Sequence, residues 1–506
     1  MGLYDFTFYD LICRNAVSFK GNQALLEAED GLSLNFEQYK ARVDQLAAGL
    51  QKVGMTKGDR IGVLAKNSLE YFALFGAAAA LGAIMVPVNW RLSPDEISFI
   101  LKDSAPRLVF ADQEHQETIR GLKENLSGVE KYYSLGPGDA DFPAFQSLPV
   151  SAGGWTPPEV ASDDGFVVIY TAAVAGRPRG AVLSHGNVLC SSMHFGYYMK
   201  LTSQDVLLNF LPFFHVGGLF MAATCFLMGG LNINMPRFDA AKAVEWIEQK
   251  SVSFMMVFAP ILASLIEAHE KTGKSIRSLQ SVTGIDTKET IEKYEKITGG
   301  TFCVLYGQTE TSSLATMGPY RDQPGSAGKM LLFTEVKLLD DYDRAVATGQ
   351  VGEIAVRGPM VFKGYWNLPE DTAYTFREGW HHTGDLGRFD EDGFLWYAGR
   401  KAEKELIKPG GENVYPAEVE KVILQHPAVE KTVVIGIPDP KWKEAIKAVC
   451  QLRKGQTLAP RALIDFVGER IARFKKPQVV QFVDELPVLK DGSVDRAKVK
   501  QLYGDG

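Results

Sequence analysis

The feature that most constrains the fold is an alternation of amphipathic helices with short apolar strands, which begins near residue 36. Apolar residues recur at helical spacing over 36–50, and a charged turn then leads into an apolar strand at 61–64. The same order repeats over 70–88 and again over 93–110. Because helices that alternate with buried strands cover the faces of a sheet, this pattern predicts a layered α/β domain.

The alternation continues through the middle of the chain and then gives way to a different texture. Further apolar strands are predicted at 166–169, 206–211, 253–258, 278–283 and 301–305, with helices at 240–250 and 288–297. From 335 onward the pattern indicates short strands separated by Gly and Asp turns, at 336–339, 352–357 and 393–397.

The length of the chain and a charged stretch at 400–404 indicate two domains. A chain of 506 residues exceeds what one hydrophobic core organises. After the charged stretch, a small α/β module is predicted, with helices at 416–425 and 460–471 and strands at 431–437, 445–452 and 479–482. We therefore predict an N-terminal α/β domain of residues 1–400 and a small α+β domain of residues 401–506.

Composition excludes several classes of function. The net charge is −7 and the pI is about 5.8, which disfavours a nucleic-acid-binding surface. The five cysteines show no metal spacing and no disulfide framework, which indicates a reducing, cytoplasmic location.

No signal peptide is indicated. Two apolar runs, at 71–88 and 206–236, are interpreted as buried core because Gly and Pro interrupt them, so no transmembrane segment is expected.

A loop at 170–180, which reads Tyr-Thr-Ala-Ala-Val-Ala-Gly-Arg-Pro-Arg-Gly, directly follows one of the buried strands. Gly176 and Gly180 allow close approach of a ligand, while Arg177 and Arg179 bring two cations to the same turn as Thr171. Such a loop can hold an anion through nested N–H groups and arginine donors. By itself, a basic stretch of this kind after a strand is more often a simple turn.

Three later motifs occur in a fixed order after this loop. They are Tyr-Gly-Gln-Thr-Glu at 306–310, Trp-His-His-Thr-Gly-Asp-Leu at 380–386, and Gly399-Arg400 followed by Lys-Glu-Leu-Ile-Lys-Pro-Gly-Gly-Glu-Asn at 404–413. Together the four stretches resemble the adenylate-forming superfamily of acyl-CoA synthetases, peptide-synthetase adenylation domains and beetle luciferases. The resemblance covers nearly the whole chain, and it is greatest to an acyl-CoA synthetase.

The resemblance implies a ligase reaction in two halves. A carboxylate attacks the α-phosphate of ATP, with Mg²⁺ present, to form an acyl-adenylate and pyrophosphate; the thiol of CoA then displaces AMP. The resemblance also implies that residues 1–400 are built from several sheets and that residues 401–506 form a mobile cap that rotates between the two halves. One alternative is an enzyme that transfers the acyl group to a carrier protein. A second alternative is an impaired homologue that binds adenylates without catalysis. Oligomeric state, with a homodimer as one option, is left open.

The resemblance assigns roles to the residues of these motifs. Glu310 would bind Mg²⁺, since hard cations take carboxylate oxygens, and Thr309 would donate to the α-phosphate. Tyr306 would lie against adenine, and Asp385 would accept from the ribose hydroxyls. The alternative for Thr309 and Glu310 is the start of a helix. The remaining nucleotide-binding residues that the resemblance implies are Gly284, Ile285, Asp286, Gly307, Gln308 and Arg400.

Two further segments are assigned to the acid and the thiol. The resemblance implies that His215 closes the acid pocket. The alternative is that His215 is a buried structural residue, as histidines beside apolar residues commonly are. The loop with Gly410 and Gly411 would leave room for pantetheine, and Glu405 would lie at the hinge. The acid is predicted to be apolar, namely fatty, alicyclic or aromatic, because the expected pocket walls carry no charge: Phe213, Phe214, Val216, Leu219, Phe258 and Ile261.

The chain departs from the family pattern at two places. Residues 172–175 replace the hydroxyl-bearing residues of the usual phosphate loop with Ala-Ala-Val-Ala. Ser493 occupies the position of the lysine that bridges carboxylate and α-phosphate, and loss of such a donor costs about a hundredfold or more in rate. Lys490, on the same loop, is our candidate for a catalytic substitute.

Overall fold

The computed structural model describes residues 5–148, 155–171, 178–401, 406–440, 442–488 and 494–504, and the structural statements below refer to these residues. Several predicted site residues therefore lie outside the described part of the chain, namely Gly176, Arg177, Glu405, Lys490 and Ser493.

The described helices have the following bounds: α1 Phe8–Ser18, α2 Phe36–Lys52, α3 Leu69–Leu81, α4 Pro94–Ser104, α5 Gln116–Leu122, α6 His185–Tyr198, α7 Val216–Met228, α8 Ala240–Lys250, α9 Ile261–Thr272, α10 Lys288–Thr298, α11 Pro369–Thr375, α12 Pro416–Ile423, α13 Pro460–Gly468 and α14 Arg496–Tyr503. Short polar residues start many of them. Asn35 caps α2 and Ser93 caps α4, each in a capping box with the residue three positions later, and Pro94 occupies the first turn of α4.

The described strands have the following bounds: β1 Gln23–Glu27, β2 Ser33–Asn35, β3 Arg60–Leu64, β4 Ile84–Pro87, β5 Leu108–Ala111, β6 Lys131–Ser134, β7 Gly165–Thr171, β8 Arg179–Ser184, β9 Val206–Asn209, β10 Leu231–Asn234, β11 Phe254–Phe258, β12 Ser281–Ile285, β13 Thr301–Tyr306, β14 Thr316–Pro319, β15 Lys329–Met330, β16 Glu335–Leu339, β17 Gly352–Arg357, β18 Gly364–Tyr365, β19 Phe376–Arg377, β20 Trp380–Phe389, β21 Leu395–Arg400, β22 Val429–Asp439, β23 Lys443–Leu452 and β24 Val479–Val483.

Two large sheets form the body of the N-terminal part. The first has the strand order β15-β14-β13-β12-β11-β9-β10-β1-β2, and its strands from β13 to β1 are parallel. The second has the order β18-β8-β7-β4-β3-β5-β6, with β7 to β6 parallel. Parallel strands need crossover connections, and the intervening helices supply them, as the alternation predicts. The predicted α/β class is confirmed.

The helix α3 lies at the centre of the core that joins these two sheets. Every residue of α3 except Glu70 is buried, and the helix packs against α1 and α2. Phe72 on this helix contacts the rings of Phe8, Phe213 and Phe226. The apolar run at 71–88 is therefore core, as predicted. Among the described residues, no helix has the length and hydropathy needed to cross a membrane.

Two smaller sheets follow in sequence. Strands β16, β17, β20 and β19 form an antiparallel sheet, to which β21 is added through β20. Strands β22, β23 and β24 form the sheet of the C-terminal part, which has apolar clusters of its own around Val434 and Val449. The predicted architecture of a large multi-sheet part and a small α+β part is confirmed.

Most predicted elements are present, with differences at their ends. Helix α8 has the predicted bounds of 240–250. Strand β9 ends two residues before the predicted position, because Asn67 accepts from the N–H of Phe213 and donates to the carbonyl of Leu211, which bends the chain away. Strand β12 begins three residues late, since Leu279 N–H closes a turn onto Ile276.

Candidate active site

Two cavities lie at the carboxyl ends of β11, β12 and β13, which are parallel neighbours in the first sheet. Ligands of α/β sheets bind at this end of the strands. The smaller cavity has a volume of about 310 Å³ and the larger one of about 480 Å³. The predicted site residues in the described part of the chain are distributed around them.

The smaller cavity contains the residues that the resemblance assigns to the nucleoside. Tyr306 at the end of β13 and Tyr397 on β21 face it, with ring centroids 6.3 Å apart. Its other predicted members are Gly284, Ile285, Asp286, Gly307, Asp385 and Arg400. The fold thus brings together residues from β12, β13, β20 and β21, some of which are more than 100 residues apart in the sequence.

The Asp385 carboxylate is held by three side chains. It accepts from the Tyr306 hydroxyl at 2.9 Å and from Gln308 Nε2 at 2.6 Å, and the Arg400 Nε lies 2.9 Å from Oδ1. Burial and this carboxylate raise the pKa of the Tyr306 phenol well above its ordinary value, so the phenol stays protonated as a donor. The network presents a fixed carboxylate and a fixed guanidinium to the cavity.

Two glycines allow the backbone to approach closely beside this network. Gly284 has φ of 139°, and a Cβ there would meet the carbonyl oxygen of Val257 at 1.8 Å. A Cβ on Gly307 would meet the carbonyl oxygen of Ser313 at 2.1 Å. A side chain at either position would push apart the strand ends that line the cavity.

Thr309 and Glu310 lie on one short 3₁₀ turn, Thr309–Thr311, and not at the start of an α-helix. The next two residues, Ser312 and Ser313, have positive φ and reverse the chain into β14. Glu310 is 8% exposed and lines the larger cavity, where the Tyr365 hydroxyl donates to its Oε1 at 2.7 Å. The turn therefore directs one buried carboxylate at the cavity.

The predicted phosphate loop joins the antiparallel strands β7 and β8, in which Thr171 pairs with Arg179. Both residues line the larger cavity. The Arg179 guanidinium lies 4.3 Å from the centre of the Tyr365 ring and 3.1 Å from Asp371. A Cβ on Gly180 would meet Val168 at 2.6 Å, so this position packs against β7 rather than facing the cavity. Residues 172–177 lie outside the described part of the chain.

The larger cavity has mainly apolar walls beyond these polar groups. Val216, Phe258 and Ile261 line it as predicted. Phe213 and Leu219 instead pack into the core around α3, and Phe214 is buried against the rings of Trp90 and His215. The expectation for these three was wrong, because an apolar side chain fits a core as well as a cavity. The apolar walls also include Phe210, Leu211, Pro212, Pro236, Phe238, Met256, Ala259, Pro260 and Leu305. Besides Arg179, Arg400 and Lys408, the cations Arg91 and Arg237 also line this cavity.

The glycine loop closes the larger cavity from the C-terminal side. Gly410 and Gly411 lie in a turn, Pro409–Gly411, and Gly410 has φ of 62°. The next residue, Glu412, lies 3.5 Å from His215 Nε2 and contacts the Arg91 guanidinium. Burial raises the pKa of Glu412, but His215 and Arg91 lower it to about 2, so the carboxylate is ionised. His215 is thus not an isolated core histidine.

Five residues line both cavities and mark their junction: Ile285, Leu305, Gly307, Arg400 and Lys408. Sequence analysis did not select Lys408. Arg400 is engaged by Asp385, whereas no side chain in the described ranges pairs with the Lys408 ammonium. Burial and Arg400 lower its pKa below the ordinary value. In the sequence, Lys408 could have been noticed only as a basic residue two positions before Gly410.

Comparison with known proteins agrees with this geometry. Residues 13–366 match the family model for the AMP-binding enzyme, and residues 418–492 match the model for the AMP-binding enzyme C-terminal domain. The chain belongs to the AMP-binding enzyme family. The predicted membership of the adenylate-forming superfamily is confirmed, and with it the fold class.

Several similar members of the AMP-binding family are CoA ligases. The chain is 32% identical to the indoleacetate–CoA ligase of Aromatoleum aromaticum, over 93% of each chain. It is 30% identical to a long-chain-fatty-acid–CoA ligase of Mycobacterium tuberculosis, over 95% of each. The o-succinylbenzoate CoA synthetase of Bacillus subtilis, bound to a product analogue, superposes with a TM-score of 0.85, at 28% identity and 97% coverage of both chains. The prediction of an AMP-forming acid–thiol ligase that uses ATP and CoA is confirmed, with the acid unspecified.

Proposed function

We propose that this AMP-binding enzyme activates an apolar carboxylic acid as its acyl-adenylate and transfers the acyl group to CoA. The observation that carries this proposal is the meeting of two cavities at Gly307, Arg400 and Lys408. An acyl-adenylate has the same layout, with a nucleoside at one end, an acyl group at the other and a phosphoanhydride between them.

The nucleoside is assigned to the smaller cavity. Asp385, held by Tyr306, Gln308 and Arg400, is placed to accept from both ribose hydroxyls with its two oxygens. Adenine then lies between the strand end at Gly284 and the aromatic side of the cavity formed by Tyr306. The backbone at Gly284 can approach the base because no Cβ intervenes.

The phosphates are assigned to the junction and to the side of the larger cavity nearest Thr171, Arg179 and Thr309. Proteins commonly hold Mg²⁺ with one or two carboxylates, while nucleotide phosphates and water supply the other ligands. A single buried carboxylate on a turn that lines the cavity fits this arrangement. Glu310 would hold the ion. When bound, Mg²⁺ supplies positive charge to the phosphate oxygens.

Lys408 is proposed as the cation for the α-phosphate at the junction. Arg400 is already paired with Asp385, so Lys408 brings the unpaired positive charge there within the described residues. Burial and the neighbouring Arg400 lower the pKa of Lys408, so an anionic phosphate bound beside it would stabilise the charged ammonium. Lys408 could thus take over the role of the lysine that Ser493 replaces. Lys490 remains our other candidate for that role.

The acid is assigned to the apolar part of the larger cavity. Walls such as Phe258, Met256 and Ile261 would bury an aromatic ring or an alkyl chain, while the carboxylate faces the junction. The similar proteins named for indoleacetate, long-chain fatty acids and o-succinylbenzoate support an aromatic or fatty acid, and an alicyclic acid is the third candidate class. About 480 Å³ accommodates such a ligand together with part of a thiol chain.

The described arrangement is proposed to be the one that forms the thioester. Gly410, Glu412 and His215 line the larger cavity together, and Glu412 lies 3.5 Å from His215 Nε2. A Cβ on Gly410 would meet the Trp442 ring, so this glycine lets the loop pack against Trp442 beside the route proposed for the pantetheine chain. We further propose that the pivot lies between Lys401 and Leu406, with domains of 1–400 and 401–506, and that the protein acts in the cytoplasm. A homodimer stays a prediction.

The test is turnover with ATP, Mg²⁺ and a panel of fatty, alicyclic and aromatic acids, with and without CoA. AMP, pyrophosphate and acyl-CoA are followed separately. Acid-dependent formation of all three is expected. If the adenylate accumulates in the presence of CoA but is consumed when a phosphopantetheinyl carrier protein is added, the acyl acceptor is a carrier protein and not CoA. Silence across the panel, with ATP still binding, would favour a non-catalytic adenylate-binding protein.

A further inference from the structure

Tyr365 connects the two charged groups that we assign to the metal and the phosphates. It lies on the short strand β18, which pairs with β8 directly after the phosphate loop. Its side chain is buried, and its hydroxyl donates to Glu310 Oε1 at 2.7 Å. The Arg179 guanidinium lies 4.3 Å from the centre of the same ring. One side chain thus contacts an anion with its hydroxyl and a cation with its face.

This arrangement solves a problem of charge at the site. Arg179 and Glu310 line the same cavity and have opposite charges, so a direct ion pair would withdraw both from a ligand. No such ion pair is present among the described residues; Arg179 pairs with Asp371 instead. The aromatic face holds Arg179 by a cation–π contact, while the phenol holds Glu310 by a charge-assisted hydrogen bond.

The segment that carries Tyr365 is itself fixed to the Glu310 turn. The N–H of Phe362 donates to the Glu310 carbonyl at 2.9 Å, and the Phe362 ring packs 4.9 Å from that of Tyr365. The Tyr365 N–H donates to Thr372 Oγ1 at 2.8 Å. The phenol therefore has little freedom, and it restricts the rotamer of Glu310.

We propose that Tyr365 is a positioning residue for the metal–nucleotide complex, holding Glu310 toward the divalent cation and keeping Arg179 apart from it. The proposal rests on the proposed function, in which Glu310 holds Mg²⁺. It predicts that the hydroxyl matters for metal affinity, whereas the ring also matters for the nucleotide phosphates.

The test compares Tyr365→Phe, Tyr365→Leu and Glu310→Gln in the full-length protein. Binding of Mn²⁺ in the presence of a non-hydrolysable ATP analogue is measured by electron paramagnetic resonance, and binding of the analogue without metal by calorimetry. For Tyr365→Phe, we expect Mn²⁺ affinity to fall about tenfold, the usual effect of losing one hydrogen bond to a charged group, with metal-free nucleotide affinity unchanged. For Tyr365→Leu, both affinities should fall.

Two further arms separate the possible outcomes. Tyr133→Phe is the matched control, because Tyr133 is also a buried tyrosine but lies on β6, at the opposite edge of the second sheet. In a Glu310→Gln background, Tyr365→Phe should have no further effect on Mn²⁺. If Glu310→Gln binds Mn²⁺ normally, the proposed metal ligand is wrong. If it does not, and Tyr365→Phe binds Mn²⁺ as the wild type does, only the positioning role is overturned.

Discussion

Buried carboxylates of this protein fall into two groups according to what surrounds them. Glu412 and Glu353 have cationic neighbours, and each has a pKa lowered to about 2 although burial alone would raise it. Glu27 on β1 accepts from the N–H of Leu69 and from the amide of Asn234, with no cationic side chain paired to it among the described residues, and burial raises its pKa to about 7. At the residue scale, neighbours decide whether a buried carboxylate is ionised.

The raised pKa of Glu27 makes folding stability depend on pH. The unfolded carboxyl ionises near pH 4.5 and the folded one near 7, so stability falls as pH rises through this window. A shift of this size corresponds to about 3 kcal/mol. Glu27→Gln should remove the decline between pH 4.5 and 7 and be the more stable form at pH 8. Urea unfolding of both proteins at several pH values measures it; equal slopes against pH would contradict the assignment.

Lys408 is expected to serve catalysis and not folding. Lys408→Met should lower the rate of acyl-CoA formation by about a hundredfold, as the loss of one aimed cation does, with little change in thermal stability. Lys408→Arg should retain part of the activity because the charge is kept. The matched control is Lys288→Met, which removes an exposed lysine at the start of α10. Steady-state turnover with a saturating acid checks this; wild-type rates in Lys408→Met would return attention to Lys490.

At the scale of elements, the glycine loop has the tightest steric requirement on the C-terminal side of the site. Gly410 has a left-handed backbone, and a Cβ there would meet the Trp442 ring at 2.7 Å. Gly455, in a turn of the same part of the chain, has φ of 81° with nothing within 4 Å of its Cβ position. The two positions share backbone strain but differ in what surrounds them.

This pair of glycines allows a matched comparison. Gly455→Ala should cost only the strain of a left-handed alanine, about 1 kcal/mol of unfolding free energy, and leave turnover unchanged. Gly410→Ala should in addition displace Trp442 and the loop, so that thioester formation from acyl-adenylate and CoA slows at least tenfold, while pyrophosphate release in the first half-reaction changes little. Single-turnover kinetics of each half separates these effects. Equal behaviour of the two variants would show that the loop tolerates the extra atom.

At the scale of the whole molecule, a buried lysine joins the two parts of the chain. Lys475 is 3% exposed and lies 2.6 Å from Glu96 at the start of α4 and 2.8 Å from Glu418 on α12. The N–H of Ala472 also donates to Glu96 at 3.3 Å. A rotation of the C-terminal part would break the contacts with Glu96 and keep the one with Glu418, since Glu418 moves with Lys475.

Glu96→Gln tests this contact with little disturbance of α4, because glutamine also completes a capping box with Ser93. Removing the charge should weaken the described arrangement, so acyl transfer to CoA should slow by about tenfold, the usual cost of a hydrogen bond to a charged group. Adenylate formation should be unaffected. Glu117→Gln, at an exposed glutamate, is the control. Half-reaction rates check the prediction, and a slower first half-reaction would contradict it.

The sequence by itself determined the α/β class, the order of elements and the positions of the nucleotide motifs. Helix starts such as those at Asn35 and Ser93 are set by local rules of capping. These rules act over a few residues, and they are therefore readable in the chain. The family resemblance extended them to Asp385 and its partners.

Only the tertiary structure decided which side chains meet. Phe213 and Val216 are near neighbours in sequence, yet one packs in the core and the other lines the larger cavity. Lys408 reaches the junction of the cavities through the docking of the C-terminal part, and Tyr365 reaches Glu310 through the pairing of β18 with β8. Hydrophobicity and charge are properties of single residues, whereas these contacts depend on strand order and on packing between distant segments, so no local pattern encodes them.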